Sequence, residues 1–195
     1  MPGGIKMLYP MPAIKRLLLL FLLAGYLPAA GQGSLYELKQ GMVQFYSDAL
    51  QELIHASSDR IEGLLDISTR KFAFRVGISS FRGFNNALQQ AHFNENYMES
   101  EQFPVATYSG KIIEDIDLSR EGVYWVRAKG KLTIHGVTRE RIIRTRIISG
   151  KDQLTIDATF PVLLADHDIK VPRIVYNKLA QEIRVSVNAR LALKS

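Results

Sequence analysis

The chain has 195 residues, 47% of them apolar and 23% charged, which suits one globular domain and excludes wholesale disorder. Cysteine is absent, and with it a disulfide scaffold, a thiol nucleophile, a Cys-type zinc site and a lipid-modified N-terminal cysteine. The net charge is +6, but half of that excess (Lys6, Lys15 and Arg16) precedes the first acidic residue, Glu37, so the folded part carries no nucleic-acid footprint.

Those three cations open the chain, and the apolar run Leu17–Leu27 and the small residues Ala29, Ala30 and Gly31 follow. A basic start, a short apolar middle and a small-residue end form the layout of a secretory signal peptide. The run is too short for a membrane-spanning helix, which needs about 20 residues. The expected organisation is therefore a signal peptide over 1–31, cleaved near Gly31, and a domain over 32–195, placed in the periplasm or secreted. The segment Met11-Pro12-Ala13-Ile14-Lys15-Arg16 already supplies the charged start, so Met11 can serve as initiator in place of Met1 or Met7.

Period two dominates the rest. Phe72, Phe74, Val76 and Ile78 alternate with Lys71, Ala73, Arg75 and Gly77. Gly83 to Ser100 breaks the pattern with helix-favouring residues and predicts one or two short helices across an end or flank. Alternation resumes in Tyr124, Val126, Ala128, Gly130, Leu132 and Ile134, again from Leu154 to Leu164, and again from Ile183 to Leu193. Turns are marked at Asp59-Arg60, Ser68-Thr69, Arg120-Glu121-Gly122, His135-Gly136 and Ser149-Gly150-Lys151-Asp152. The segment Asp166 to Gln181 reads as a short helix or an ordered loop. One dry and one wet face per strand is antiparallel behaviour. Strands of about 11 to 13 residues must curl, and closing removes their edges. The fold class is mainly β: an extended antiparallel β-barrel, lipocalin-like, with one or two short helices.

The dry face mixes Ala106, Gly110, Ala128, Gly130, Ala158 and Ala189 with larger apolar residues. Such small residues either leave a lumen for one ligand or serve barrel bending and close packing, and composition leaves both open. The candidate lumen residues are Phe72, Phe74, Val76, Tyr108, Tyr124, Val126, Leu132, Ile134, Phe160 and Leu191, each of which also reads as an ordinary core residue.

Catalysis finds no support. His55, His92, His135 and His167 lack metal-ligand spacing, and no nucleophile elbow or phosphate-binding glycine loop occurs. No catalytic or metal residue is assigned, no cofactor is required, and the expectation is a protein that is not an enzyme. Asp166-His167-Asp168 reads as an exposed polar turn, and Glu99 and Glu101 as loop carboxylates. In Leu132-Thr133-Ile134-His135-Gly136-Val137-Thr138-Arg139, His135 and Thr138 are expected to bond the backbone of a hairpin turn. Arg139, Arg141, Arg144 and Arg146 are read together as the wet face of a sheet.

This hairpin segment resembles the signature of the YceI-like family of secreted lipid-binding proteins. A second block, His92-Phe93-Asn94-Glu95-Asn96-Tyr97-Met98-Glu99 leading to Phe103-Pro104-Val105-Ala106-Thr107-Tyr108, is similar to the family's helix and aromatic-Pro-x-Ala-x-aromatic strand start. Ile61-Glu62-Gly63-Leu64-Leu65-Asp66 departs from the family's basic Gly-Arg-aromatic feature. The resemblance implies a barrel that holds a polyisoprenoid, an isoprenoid quinone or a similar lipid, for transport, storage or protection. The alternative is an envelope stress-adaptor or protein-interaction module with a filled barrel, acting through Trp125 and the Arg144/Arg146 face. Expected partners are the apolar ligand and a transient membrane or envelope-protein contact, with no nucleic acid. The oligomeric state stays open, a dimer included.

Overall fold

Long strands with one apolar row have a whole sheet face to bury, and this chain buries it by rolling the sheet shut. The computed structural model describes residues 34–194. The expected signal peptide lies outside the described residues. The strands are β1 (Leu35–Asp48), β2 (Leu53–Ser58), β3 (Ile61–Asp66), β4 (Lys71–Gly77), β5 (Val105–Ile112), β6 (Gly122–Ile134), β7 (Val137–Ser149), β8 (Gln153–Leu163) and β9 (Glu182–Leu193). Each pairs antiparallel with its neighbours in the order β2-β1-β3-β4-β5-β6-β7-β8-β9, and β1–β9 pairing closes the ring. The result is the expected antiparallel barrel.

The expected turn at Asp59-Arg60 is corrected. Asp59-Arg60 is a kink and not a reversal: Val43 pairs with Ser58 and Leu35 with Asp66, so β2 and β3 run along the same edge of β1 in one unbroken register. Together they form one return strand, and the barrel has eight staves. The kink is held by Ser58, whose Oγ accepts from the Arg60 N–H at 3.1 Å and lies 2.6 Å from Ser80 Oγ. The opposite edge of β1 carries a bulge between Leu38 and Gln40 where it meets β9. That extra residue shifts the parity of the strand, so inward-facing Leu38 and Val43 are an odd number of residues apart.

Among the described residues one α-helix forms, α1 (Ala87–His92). Asn86 caps it, its side chain accepting from the Gln89 N–H at 2.8 Å, which satisfies one of the orphan donors of a helix start. The helix runs directly into a wider π turn, Phe93–Tyr97, which carries Phe93, Tyr97 and Met98 onto one end of the barrel. There they meet Ile78, Leu164, Ile169 and Ile183 in a small core of their own. At the other end Leu118 is buried against Tyr36, Leu65, Leu154 and Leu191. Ser149 Oγ donates to the Leu118 carbonyl at 2.7 Å and pins that loop shut.

The β6–β7 hairpin turns on His135 and Gly136, with φ of 51° and 72°. Two successive positive φ values match the right-handed twist of the flanking strands, and a Cβ at Gly136 would stand 2.6 Å from the Phe103 ring. The expected local bonds are corrected. His135 Nδ1 donates to the carbonyl of His167, in the loop after β8, at 3.1 Å, and Thr138 pairs with the Thr133 hydroxyl.

His167 also departs from its expected exposed turn: it is 1% exposed, and its Nδ1 donates to the Val137 carbonyl at 3.0 Å. Its neighbours Asp166 and Asp168 point elsewhere, Asp166 toward Arg141, so the three do not converge. Burial holds the His167 pKa below the ordinary histidine value; the Val137 carbonyl and Asp166 pull it upward, and nearby Arg139 lowers it further. The unfolded chain therefore takes up a proton that the folded chain resists. Stability contributed by this group is complete above about pH 6.5, the unperturbed value, and is lost as pH falls toward the lower folded pKa. Urea midpoints are expected to drop between pH 7.5 and 5.5, and the drop should shrink in His167→Gln. Parallel midpoint changes in the two proteins would refute the assignment. The lowered carboxylates of Asp66, Glu114 and Asp117 act only at more acid pH.

Candidate functional site

Between the two end cores the barrel is hollow. A cavity of about 250 Å³ is walled by side chains from every stave and from the π turn. Along β6 the wall runs from Val126 to Ile134, which at roughly 3.3 Å per residue is ~26 Å of strand. Small-molecule pockets are typically about 300 Å³ or more, so this volume is modest. A modest volume drawn out over that length fits a slender chain better than a compact ring system.

Eight of the ten candidate residues stand in the wall: Phe72, Phe74, Val76, Tyr108, Val126, Leu132, Ile134 and Phe160. Tyr124 and Leu191 do not. Tyr124 lies beyond the bore, its hydroxyl donating to the Arg120 carbonyl at 2.9 Å. Leu191 is fully buried in the closed end with Leu154 and Tyr36. Both sit on the inward row as predicted, but alternation fixes which face a residue takes and not its depth along the barrel.

The wall also contains residues that the sequence reading missed. Phe45 stacks on Phe93 with centroids 5.3 Å apart, and Phe81 lies 5.5 Å from Phe45, so three aromatic rings line one side near the π turn. Val43-x-Phe45 in β1 was the available signal, obscured by the bulge upstream. Ile143, Ile156, Val185 and Val187 complete the apolar wall on β7, β8 and β9.

The small residues divide into two groups. Ala106, Ala128, Ala158 and Ala189 line the cavity and leave it open. Gly110 and Gly130 face each other across β5 and β6, where a Cβ would run into backbone. Both readings of the composition hold, at different positions.

The chemistry of the wall is almost entirely aliphatic and aromatic. Among the described residues Arg75 is the only charged one in it, and its guanidinium turns outward to Glu62 at 2.8 Å. Tyr108 donates its hydroxyl to the Ala128 carbonyl at 2.6 Å, and burial pushes its pKa up to about 12, so it stays neutral. Thr145 Oγ1 donates to the Ile143 carbonyl at 3.3 Å. These hydroxyls are already occupied, and a guest is selected by length, girth and apolarity. A charged group placed here would be desolvated without a partner.

One seam of the barrel is held differently. β7 and β8 pair only from Thr145–Ser149 to Leu154–Ala158. Beyond that point Arg141 donates to the Pro161 carbonyl and Arg139 to the Asp166 carbonyl, each at 2.7 Å. These two arginines share the parity of inward-facing Ile143 and strap the gap, which corrects their expected place on the wet face beside Arg144 and Arg146.

A family model for the YceI-like domain matches residues 39–191. No curated protein matches the chain in sequence. Among solved structures, a polyisoprenoid binding domain from Saccharophagus degradans is similar at 13% identity with a TM-score of 0.70, the match covering 82% of this chain and 98% of that one. Burkholderia cenocepacia BcnA is similar at 14% identity with a TM-score of 0.63, over 77% and 95% of the two chains. A Campylobacter jejuni YCEI protein matches at 13% identity with a TM-score of 0.53, over 100% and 94%.

Proposed function

The chain belongs to the YceI-like domain family, and from that premise we propose that it is an exported carrier whose barrel holds one long apolar lipid, a polyisoprenoid, an isoprenoid quinone or a similar chain. The observation that carries this reading is the elongated cavity, whose wall among the described residues is almost entirely aliphatic and aromatic. Each methylene moved from water to such a wall contributes about 0.8 kcal/mol, so ten of them offer ~8 kcal/mol before ordering costs. No polar recognition is required for tight binding. The similar Saccharophagus domain, described as polyisoprenoid binding, supports the choice of ligand class. Handling such a lipid outside the cytoplasm, for transport, storage or protection, agrees with the basic and apolar N-terminal layout of the sequence.

Organic extraction of the purified protein followed by mass spectrometry is expected to release an apolar chain compound in near-stoichiometric amount. A stripped sample should take up a quinone or fatty-acid probe. An empty extract together with no uptake of either probe would overturn the reading.

A further inference from the structure

We propose that the outer face of β5–β6–β7 is a docking surface for an anionic phospholipid bilayer, with Trp125 as its interfacial anchor. The surface stands apart from the cavity, and the inference does not depend on what the barrel holds.

The outward row of β6 reads Val123, Trp125, Arg127, Lys129 and Lys131, and that of β7 reads Ile142, Arg144, Arg146 and Ile148. Trp125 is 72% exposed, and Val123 and Ile142 are more than half exposed. An indole with one apolar face and one N–H donor suits the headgroup level of a membrane. The isolated indole gains little from water, and at 72% exposure it reaches a bilayer surface without rearrangement of the barrel.

Charge sets the kind of partner. Lys71, Lys111 and Lys129 are directly opposed on three successive strands, and Arg127 is directly opposed to Arg144. Like charges in direct cross-strand register destabilise a sheet, so this face carries a cost that an external anionic surface offsets. Glu114, Glu140 and Asp157 neutralise Arg127, Lys129 and Arg146 at 2.7, 3.1 and 3.8 Å. Lys71, Lys111, Lys131 and Arg144 have no salt-bridge partner among the described residues. Lys111 and Arg144, which also have no carboxylate directly opposite them, share this outer face with an exposed tryptophan and complement a bilayer of anionic headgroups, which attracts such cations and does so less at high salt.

The chain has one tryptophan, so its fluorescence reports this face alone. The purified protein is mixed with phosphatidylcholine vesicles with and without phosphatidylglycerol, then tested by flotation and emission. The expected result is a blue shift and co-flotation with the anionic vesicles only, both reversed by raising salt from 50 to 500 mM. Lys111→Glu/Arg144→Glu should lower partitioning at least tenfold, and Trp125→Ser should lower it in flotation. The double substitution places acids against Lys71, Lys129 and Arg127, so its thermal midpoint should not fall, which separates lost docking from lost fold. Absence of vesicle binding overturns the proposal, as does binding that the variants leave unchanged or that leaves the Trp125 emission unshifted. Either of the last two results assigns membrane contact to another part of the chain.

Discussion

Ala158→Phe is expected to abolish lipid uptake while leaving the barrel folded. Ala158 pairs with Thr145 on β7 and Val187 on β9, and its methyl forms part of the cavity wall near the middle of β8. A phenyl ring there projects into a bore of about 250 Å³ and blocks it across its width. A chain that loses four or five buried methylenes loses about 3–4 kcal/mol, a factor of roughly 10² to 10³ in affinity. Overpacking a dense core costs about 1–3 kcal/mol, and a ring entering empty space costs less than that. Uptake of a fluorescent fatty-acid or polyprenyl probe measures the first effect, and circular dichroism with urea denaturation measures the second. Unchanged uptake by a folded variant would show that the guest does not occupy this cavity.

The same substitution at Tyr124 would not serve, although sequence alternation ranks the two positions alike. That contrast marks how far the sequence could be read. The alternation of β4, β6, β8 and β9 gave the inward rows correctly, because a period of two needs only one wet and one dry face. It failed for β1, the longest strand, where one bulged residue reverses the parity midway and hides Phe45. It failed again at Arg139 and Arg141, which lie on the inward parity of β7 but beyond the last β7–β8 pair, so they meet carbonyls where a neighbouring strand would have been. The depth of a residue along the bore depends on stagger between strands and on which loops plug the ends. Leu118 and Met98 do that plugging from outside the alternating segments, and no local pattern announces them. His167 was misplaced for a similar reason: its burial follows from a hydrogen bond to Val137, thirty residues earlier in the chain.

Glycine supplies the second large effect. Gly110 on β5 and Gly130 on β6 are directly paired. A Cβ at Gly110 would stand 2.1 Å from the Lys129 carbonyl oxygen and 2.5 Å from the Gly130 Cα, and one at Gly130 would stand 2.3 Å from the Ser109 carbonyl oxygen. The obstructing atoms are backbone atoms of a paired strand, so relief requires pulling β5 from β6 and breaking ladder bonds. Gly110→Ala and Gly130→Ala are each expected to cost more than about 4 kcal/mol, enough to unfold most of the population of a typical domain. Gly63→Ala is the informative contrast. Its Cβ would approach a Phe74 ring carbon to 2.0 Å, but a side chain can yield where a backbone cannot. That change should cost about 1–3 kcal/mol, and because Phe74 stands in the cavity wall it should also reduce probe uptake. Urea denaturation of the three variants, with soluble yield as the fallback for those that do not fold, orders them. If Gly110→Ala proves within 1 kcal/mol of the parent, the close approach of β5 and β6 is not what requires glycine there.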